Sequence, residues 1–370
     1  MRPTDLEIAL TYAPIICQET FGNEEERFQD YFCRADYDGD LKANNNWNNL
    51  DQFKDSLKAE VYFSLVETNS HYFILYSVYH PKDWKVLGKH ENDMEHAQVV
   101  VKKKGTKGAV QFLCTNAHHS YYIYYNEKEV EIPTTWLREQ YSGTIFLEET
   151  HPIIFVQPGN GFNQFGGVGH GIVGLTGPMK RRWKGNTYHF PNDQGLVCFP
   201  GEEGEISNRQ LKVQSLHYSL CSTEQDLWPL REKIGDKWLF GEAITTWTAD
   251  GDDYVDPESD TQYETRKEYF TRINATTSLR YARSFNGNEG MEDEGKTPFA
   301  FQLGVPALQY WRMRGMSDAM LKKLLRENKL VNTTQNFDNF FDPAHGWLLR
   351  LGGQIVNTGY IYNPYLGVIA

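Results

Sequence analysis

His90, Asp93 and Glu95 place one imidazole and two carboxylates within six residues, the donor types that hold a divalent cation. If Asp93 to Val101 is extended, the two acids project from one face, because alternate side chains of a strand share a face. Met94 and His96 then point the other way. His90 has the opposite parity and has to reach the site from the loop before the strand, which Gly88 permits. Asp83, at the end of the preceding strand, completes the pocket from across a hairpin. These acids lie between strongly apolar segments, where unpaired carboxylates are costly. A shared Mg²⁺ or Ca²⁺ is therefore the expected cofactor.

Two further side chains are candidates for moving protons. Glu91 lies inside the same stretch, and His170 sits between Gly169 and Gly171 in a glycine-rich segment, Gly159 to Gly177. A flexible loop can bring His170 over the pocket as a ligand or general base. The plainer reading is a surface loop with an incidental histidine. His118 and His119 follow a strand and are candidates for the same rim.

Other chemistries fail on spacing. A zincin HExxH needs histidine at 94, where Met94 stands. The alternating Asp36, Asp38 and Asp40 lack the EF-hand glycine position and its twelfth-position acid, so they read as turn formers. The GxGxxG at Gly169, Gly171 and Gly174 is followed by Pro178-Met179-Lys180-Arg181 rather than a helix of the dinucleotide-binding type. Five scattered cysteines (Cys17, Cys33, Cys114, Cys198 and Cys221) contain no CxxC pair. No GxSxG, P-loop or SxxK pattern appears. A formal net charge of −12 repels phosphate backbones, so a nucleic-acid partner is not expected.

The elements that must position these groups are mostly strands. Tyr, Phe and Trp number 22, 21 and 9, and aromatic residues favour pleated surfaces. Residues 59–79 read as a hairpin turning at Glu67 to His71. Ala97 to Val101 and Ala109 to Cys114 form a second pair around Lys103 to Gly108. Tyr121 to Tyr125, Gly143 to Leu147 and Ile153 to Val156 are shorter strands. From about Gly241 the texture changes to acidic loops, Asp250 to Asp253 and Asn286 to Lys296, and a helix over Ser317 to Leu330. The expectation is a mainly β (α+β) protein: an antiparallel β-sandwich over residues 1–240 carrying the cation site, with an α+β extension over 241–370. No run is long and apolar enough for a transmembrane helix, and Met1 to Glu7 lacks a signal-peptide pattern.

With these residues in view, the chain resembles the necrosis- and ethylene-inducing-peptide-like proteins. The resemblance rests on Asp38-Gly39-Asp40, Asn46-Trp47, Tyr76 through Asp83, and the Gly88, His90, Asp93 and Glu95 core, over roughly residues 36–175. Lys89 is inserted after Gly88, and Asn92 and Met94 replace the second His and the Trp of the family's heptapeptide. The resemblance implies a secreted cytolysin with a compact β-sandwich, and cation ligands at Asp83, His90, Asp93 and Glu95.

Two function classes follow. One is a cation-dependent recognition protein binding a polar headgroup or glycan, with Trp and Tyr on the rim. The other is a metal-dependent hydrolase or lyase acting on a small substrate in the same pocket. A purely structural ion is a third reading.

Overall fold

The computed structural model describes residues 1–40, 46–68, 71–83, 90–104, 107–117, 120–130, 141–159, 169–202, 204, 206, 211–227 and 360–362. The expected helix at Ser317 to Leu330, both acidic loops, the boundary near residue 240, and His118 and His119 lie outside them.

Helix α1 (Pro3–Tyr12) leads into β1 (Ile15–Glu19), and a single 3-10 turn (Arg27–Asp30) and α2 (Asn46–Phe53) precede the main hairpins. These comprise β2 (Glu60–Thr68), β3 (His71–Asp83), β4 (His90–Lys104), β5 (Lys107–Ala117) and β6 (Ser120–Tyr125). Short strands β7 (Gly143–Thr144), β8 (Leu147–Glu148), β9 (His151–Val156) and β10 (Ile172–Gly174) come next. After them come α3 (Gly177–Lys180), the small pair β11 (Trp183–Lys184) and β12 (Thr187–Tyr188), then β13 (Gly195–Pro200) and β14 (Val213–Ser222). A last helical turn, α4 (Thr223–Asp226), and a returning strand, β15 (Tyr360–Tyr362), complete the described elements.

The protein is mainly β, but a purely antiparallel arrangement is not what forms. One 13-stranded sheet runs β10-β9-β1-β13-β14-β2-β3-β4-β5-β6-β7, with β8 on β9 and β15 on β2. The central meander β2 to β6 is antiparallel, as its hairpin turns dictate. The joins β1–β9, β13–β14, β14–β2 and β6–β7 are parallel. Parallel neighbours need a crossover rather than a tight turn, so adjacent-hairpin reasoning cannot find them. The expected strand at Gly143 to Leu147 is split between β7 and β8.

β1 and β3 are covered on both faces, which explains their sequence texture. β3 is buried along nearly its whole length, so it reads as a continuous apolar and aromatic run rather than an alternation. In β1, Ile16 belongs to the larger core while Ile15 and Cys17 belong to a second cluster with Ile153, Phe155 and Val197. The Tyr76 hydroxyl donates to Ala9 O at 2.6 Å and the Tyr218 hydroxyl to Pro14 O at 2.7 Å, fixing α1 and its exit to the sheet. All five cysteines are buried and unbridged. No described helix is long and apolar enough to cross a membrane.

The end of the described chain returns to the sheet. β15 pairs with β2, the Tyr362 hydroxyl donates to Glu224 beside α4, and the Arg2 guanidinium lies 4.0 Å above the Tyr362 ring.

Candidate functional site

β3 and β4 pair in one uninterrupted register, with His80 opposite Asp93, Val78 opposite Glu95, and Asp83 opposite His90. His90 therefore does not reach the site from a loop: it is the first residue of β4, and Gly88 lies before the strand. Because directly opposed residues share a face, Asp93 and Glu95 project with His80, and Asp83 at the end of β3 lies close enough to act on the charges of both His80 and His170. Asp83, Asp93 and Glu95 are all buried. The side chains of His90 and Glu91 lie outside the described residues.

The glycine-rich segment delivers His170 directly onto Asp93. His170 is 0% exposed, its Nδ1 lies 3.1 Å from Asp93 Oδ2, and its Nε2 lies 3.3 Å from Asp30 Oδ1. Its φ of 52° is the left-handed conformation that non-glycine residues seldom adopt, so surrounding contacts must hold it there. Gly159 is one of those contacts. A Cβ there would sit 2.7 Å from the His170 ring and 3.1 Å from Asp30 Oδ1, so only glycine fits.

Asp30 is the second anchor. Its Oδ2 accepts from Phe21 N–H at 2.7 Å and its Oδ1 from Gly159 N–H at 2.7 Å. Burial raises the Asp30 pKa, and contact with His170 and these two amides opposes that rise. For His170, burial acts to lower the pKa, but Asp30 and Asp93 outweigh it and lift the value to about 9. The ring is thus an imidazolium that donates from both nitrogens to two carboxylates.

His80 is the neutral counterpart. Its ring stacks on His170 with centroids 3.8 Å apart and planes 1° from parallel. Burial, and then the His170 charge, push its pKa well below the ordinary histidine value, with Asp83 opposing. Gln18 Nε2 donates to Glu19 O at 2.9 Å and Gln157 O at 3.2 Å, which leaves Gln18 Oε1 to accept from His80 Nε2 at 2.9 Å. That fixes the tautomer and leaves His80 Nδ1 a buried acceptor with no hydrogen-bond partner among the described residues.

Around this centre, Lys82 Nζ lies 4.4 Å over the Trp47 ring, and Asn46 Nδ2 donates to the Tyr79 hydroxyl at 3.1 Å. Asp38 behaves as a turn former: its Oδ1 accepts from Asp40 N–H at 3.2 Å and its Oδ2 from Asn49 Nδ2 at 2.6 Å.

In kind, the donors suit a hard divalent cation: buried carboxylates at Asp83, Asp93 and Glu95 beside a bare imidazole nitrogen. Among the described residues, no group of three or more His, Cys, Asp or Glu side chains is placed to hold a metal ion. His90 is the member of the expected set whose side chain is not described. Sequence reasoning does not single out Asp30, Gln18 or His80. His80 was within reach, since pairing the hairpin at Asp83 and His90 puts it opposite Asp93. Nothing local marks Asp30, which lies 63 residues before Asp93 in a polar stretch without strand character.

A mainly β sheet carrying a buried acid–histidine cluster is the class that the fold and this site define. Within it, residues 38–158 match the family model described as necrosis inducing protein (NPP1), so the resemblance holds over that segment, under half of the chain. No curated sequence matches significantly. Among solved structures, a toxin fold for microbial attack and plant defense is 21% identical, with a TM-score of 0.26, over 43% of this chain and 65% of that one. The chain thus spans just under two thirds of that relative. NLPPya in complex with glucosamine is 19% identical, with a TM-score of 0.28, over 48% of this chain and 71% of that one. Necrosis and Ethylene inducing Protein 2 from the causal agent of cocoa's Witches Broom disease is 15% identical, with a TM-score of 0.24, over 42% of this chain and 63% of that one.

Proposed function

We propose that this protein is a divalent-cation-dependent recognition protein. Asp83, His90, Asp93 and Glu95 hold Mg²⁺ or Ca²⁺, and the ligand is a polar headgroup or glycan. The observation that carries the reading is the burial of Asp83, Asp93 and Glu95 inside the segment that matches the necrosis inducing protein model. Carboxylates kept from water are costly unless they serve a cation or a strong donor.

When bound, the ion would supply a positive centre for hydroxyl or phosphate oxygens of the ligand. The protein's own groups prepare that place. His170 orients the Asp93 carboxylate, Asp30 and Gly159 hold His170, and Trp47 holds the Lys82 ammonium. A secreted, cytolysin-like setting is the one that the resemblance implies.

The test is calorimetric titration of the full chain with Mg²⁺ and Ca²⁺, together with elemental analysis. One tightly bound ion is expected, with affinity reduced at least about tenfold in Asp93→Asn. Glycan or headgroup binding is expected to disappear with a chelator. Failure to bind either ion, or ligand binding indifferent to chelation, overturns the reading.

A hydrolase or lyase in the same pocket, with His170 and Glu91 handling protons, has less support. Both ring nitrogens of His170 already face carboxylates, so neither is open to a substrate proton. Turnover that survives Glu95→Gln would sink it.

A further inference from the structure

His80 stands inside the acid–histidine cluster without belonging to the expected ligand set. It lies directly across the β3–β4 ladder from Asp93, and Asp83 ends the same strand. Its ring is fully buried and stacks on His170.

The two ring nitrogens of His80 have unequal surroundings. Nε2 donates to Gln18 Oε1 at 2.9 Å. Gln18 is itself locked, because its Nε2 donates to Glu19 O at 2.9 Å and to Gln157 O at 3.2 Å. A rotated Gln18 amide would lose both of those bonds, so the ring proton stays on Nε2. Nδ1 therefore presents a lone pair, and it has no hydrogen-bond partner among the described residues. Buried acceptors left in this way are rare in folded proteins, because nothing offsets their desolvation.

These are the surroundings of a metal-bound histidine. Such a ring ligates through one nitrogen while the other donates its N–H to a carbonyl or carboxylate, which fixes the tautomer and the ring direction. Gln18 supplies that carbonyl. The charge on His170 does not bar a cation here, since Asp30 and Asp93 flank that ring at its two nitrogens.

We propose, resting on the cation site argued above, that His80 Nδ1 is a further ligand of that cation and turns its preference from Mg²⁺ and Ca²⁺ towards Zn²⁺. Carboxylates alone suit hard cations, whereas imidazole nitrogen suits zinc and its transition-metal neighbours. With His90, His80 brings the number of imidazoles to two beside the carboxylates, a donor set of the zinc type. Gln18 is then a positioning residue, acting through His80.

The experiment titrates the full chain, stripped of metal, with Zn²⁺ and separately with Ca²⁺, read by calorimetry. His80→Phe and His80→Gln are compared with the parent, each checked for folding by its thermal transition. The first keeps a flat ring, and the second keeps a donor for Gln18, so one serves where the other does not fold. The expected result is Zn²⁺ binding weakened at least about tenfold in the variants, with Ca²⁺ binding changed less than about threefold. Pulsed EPR of the Cu²⁺-loaded protein counts coordinated imidazoles, and the variants are expected to show one fewer than the parent. Equal Zn²⁺ affinity in parent and variants, or an unchanged imidazole count, overturns the proposal and assigns Nδ1 to a buried water. Ca²⁺ binding that persists in that case leaves the proposed function standing. Parallel loss of Zn²⁺ and Ca²⁺ in His80→Gln would mean a collapsed pocket and overturns the proposal too. A parent that binds no ion overturns both readings together.

Discussion

His80 and His170 stack face to face, 3.8 Å apart, yet one is held neutral and the other protonated. The difference lies in their edges. His170 meets a carboxylate at each nitrogen, whereas His80 meets the neutral carbonyl oxygen of Gln18 at Nε2. A charged ring thus rests on a neutral one, an attraction of the cation–π kind.

Replacing His80 by Phe keeps a flat ring under His170 but leaves Gln18 Oε1 buried and unsatisfied. The expected cost is about 1–3 kcal/mol, the penalty for an orphaned buried acceptor. Denaturant unfolding of His80→Phe and of His80→Gln checks it, since the glutamine amide retains a donor for Gln18 Oε1 and should recover part of the loss.

Gly159→Ala is expected to be among the most damaging small substitutions. Its methyl group meets the His170 ring at 2.7 Å and Asp30 Oδ1 at 3.1 Å. Relief requires moving a ring that is already in a rare backbone conformation, at a cost of about 1–3 kcal/mol. A thermal midpoint equal to that of the parent would contradict the packing.

Glu19 sets a pH dependence. Burial raises its pKa from 4.5 to about 7, with Asp30 adding to the rise and Arg182 opposing it. The folded protein therefore favours the protonated acid. Stability from this group is fully present below the unfolded value and is lost as pH rises towards 7. Glu19→Gln should flatten stability across pH 4.5 to 7 and stabilise the protein at pH 8 by up to about 3 kcal/mol. Urea midpoints measured across that range test the sign.

Tyr76→Phe should loosen α1 without disturbing the sheet. It strands the Ala9 carbonyl, whose donor is the Tyr76 hydroxyl at 2.6 Å, and about 1–2 kcal/mol is expected. Faster amide exchange confined to α1 and its junction with β1 is the readout. Uniform acceleration across β3 would argue against it.

The hairpins were legible because their signal is local. The apolar run at 59–79 and the lysine-rich turn at 103–108 each pair neighbours in sequence, and β2 to β5 form where the pattern puts them. β1, β13 and β14 were not legible. They pair with β9, with each other and with β2 through parallel crossovers or across long separations, never through a tight hairpin, and short segments such as Ile15 to Glu19 carry no period that distinguishes them. The candidate site divides in the same way. Asp83, Asp93 and Glu95 stand out as acids among apolar neighbours. Asp30 becomes visible only when Gly159 and His170 have been folded onto it.

The pairing of β15 with β2 has a topological consequence. β15 adds to β2, and its Tyr362 hydroxyl donates to Glu224 within α4. Glu224 and Tyr362, far apart in sequence, are thereby tied together at one corner of the sheet.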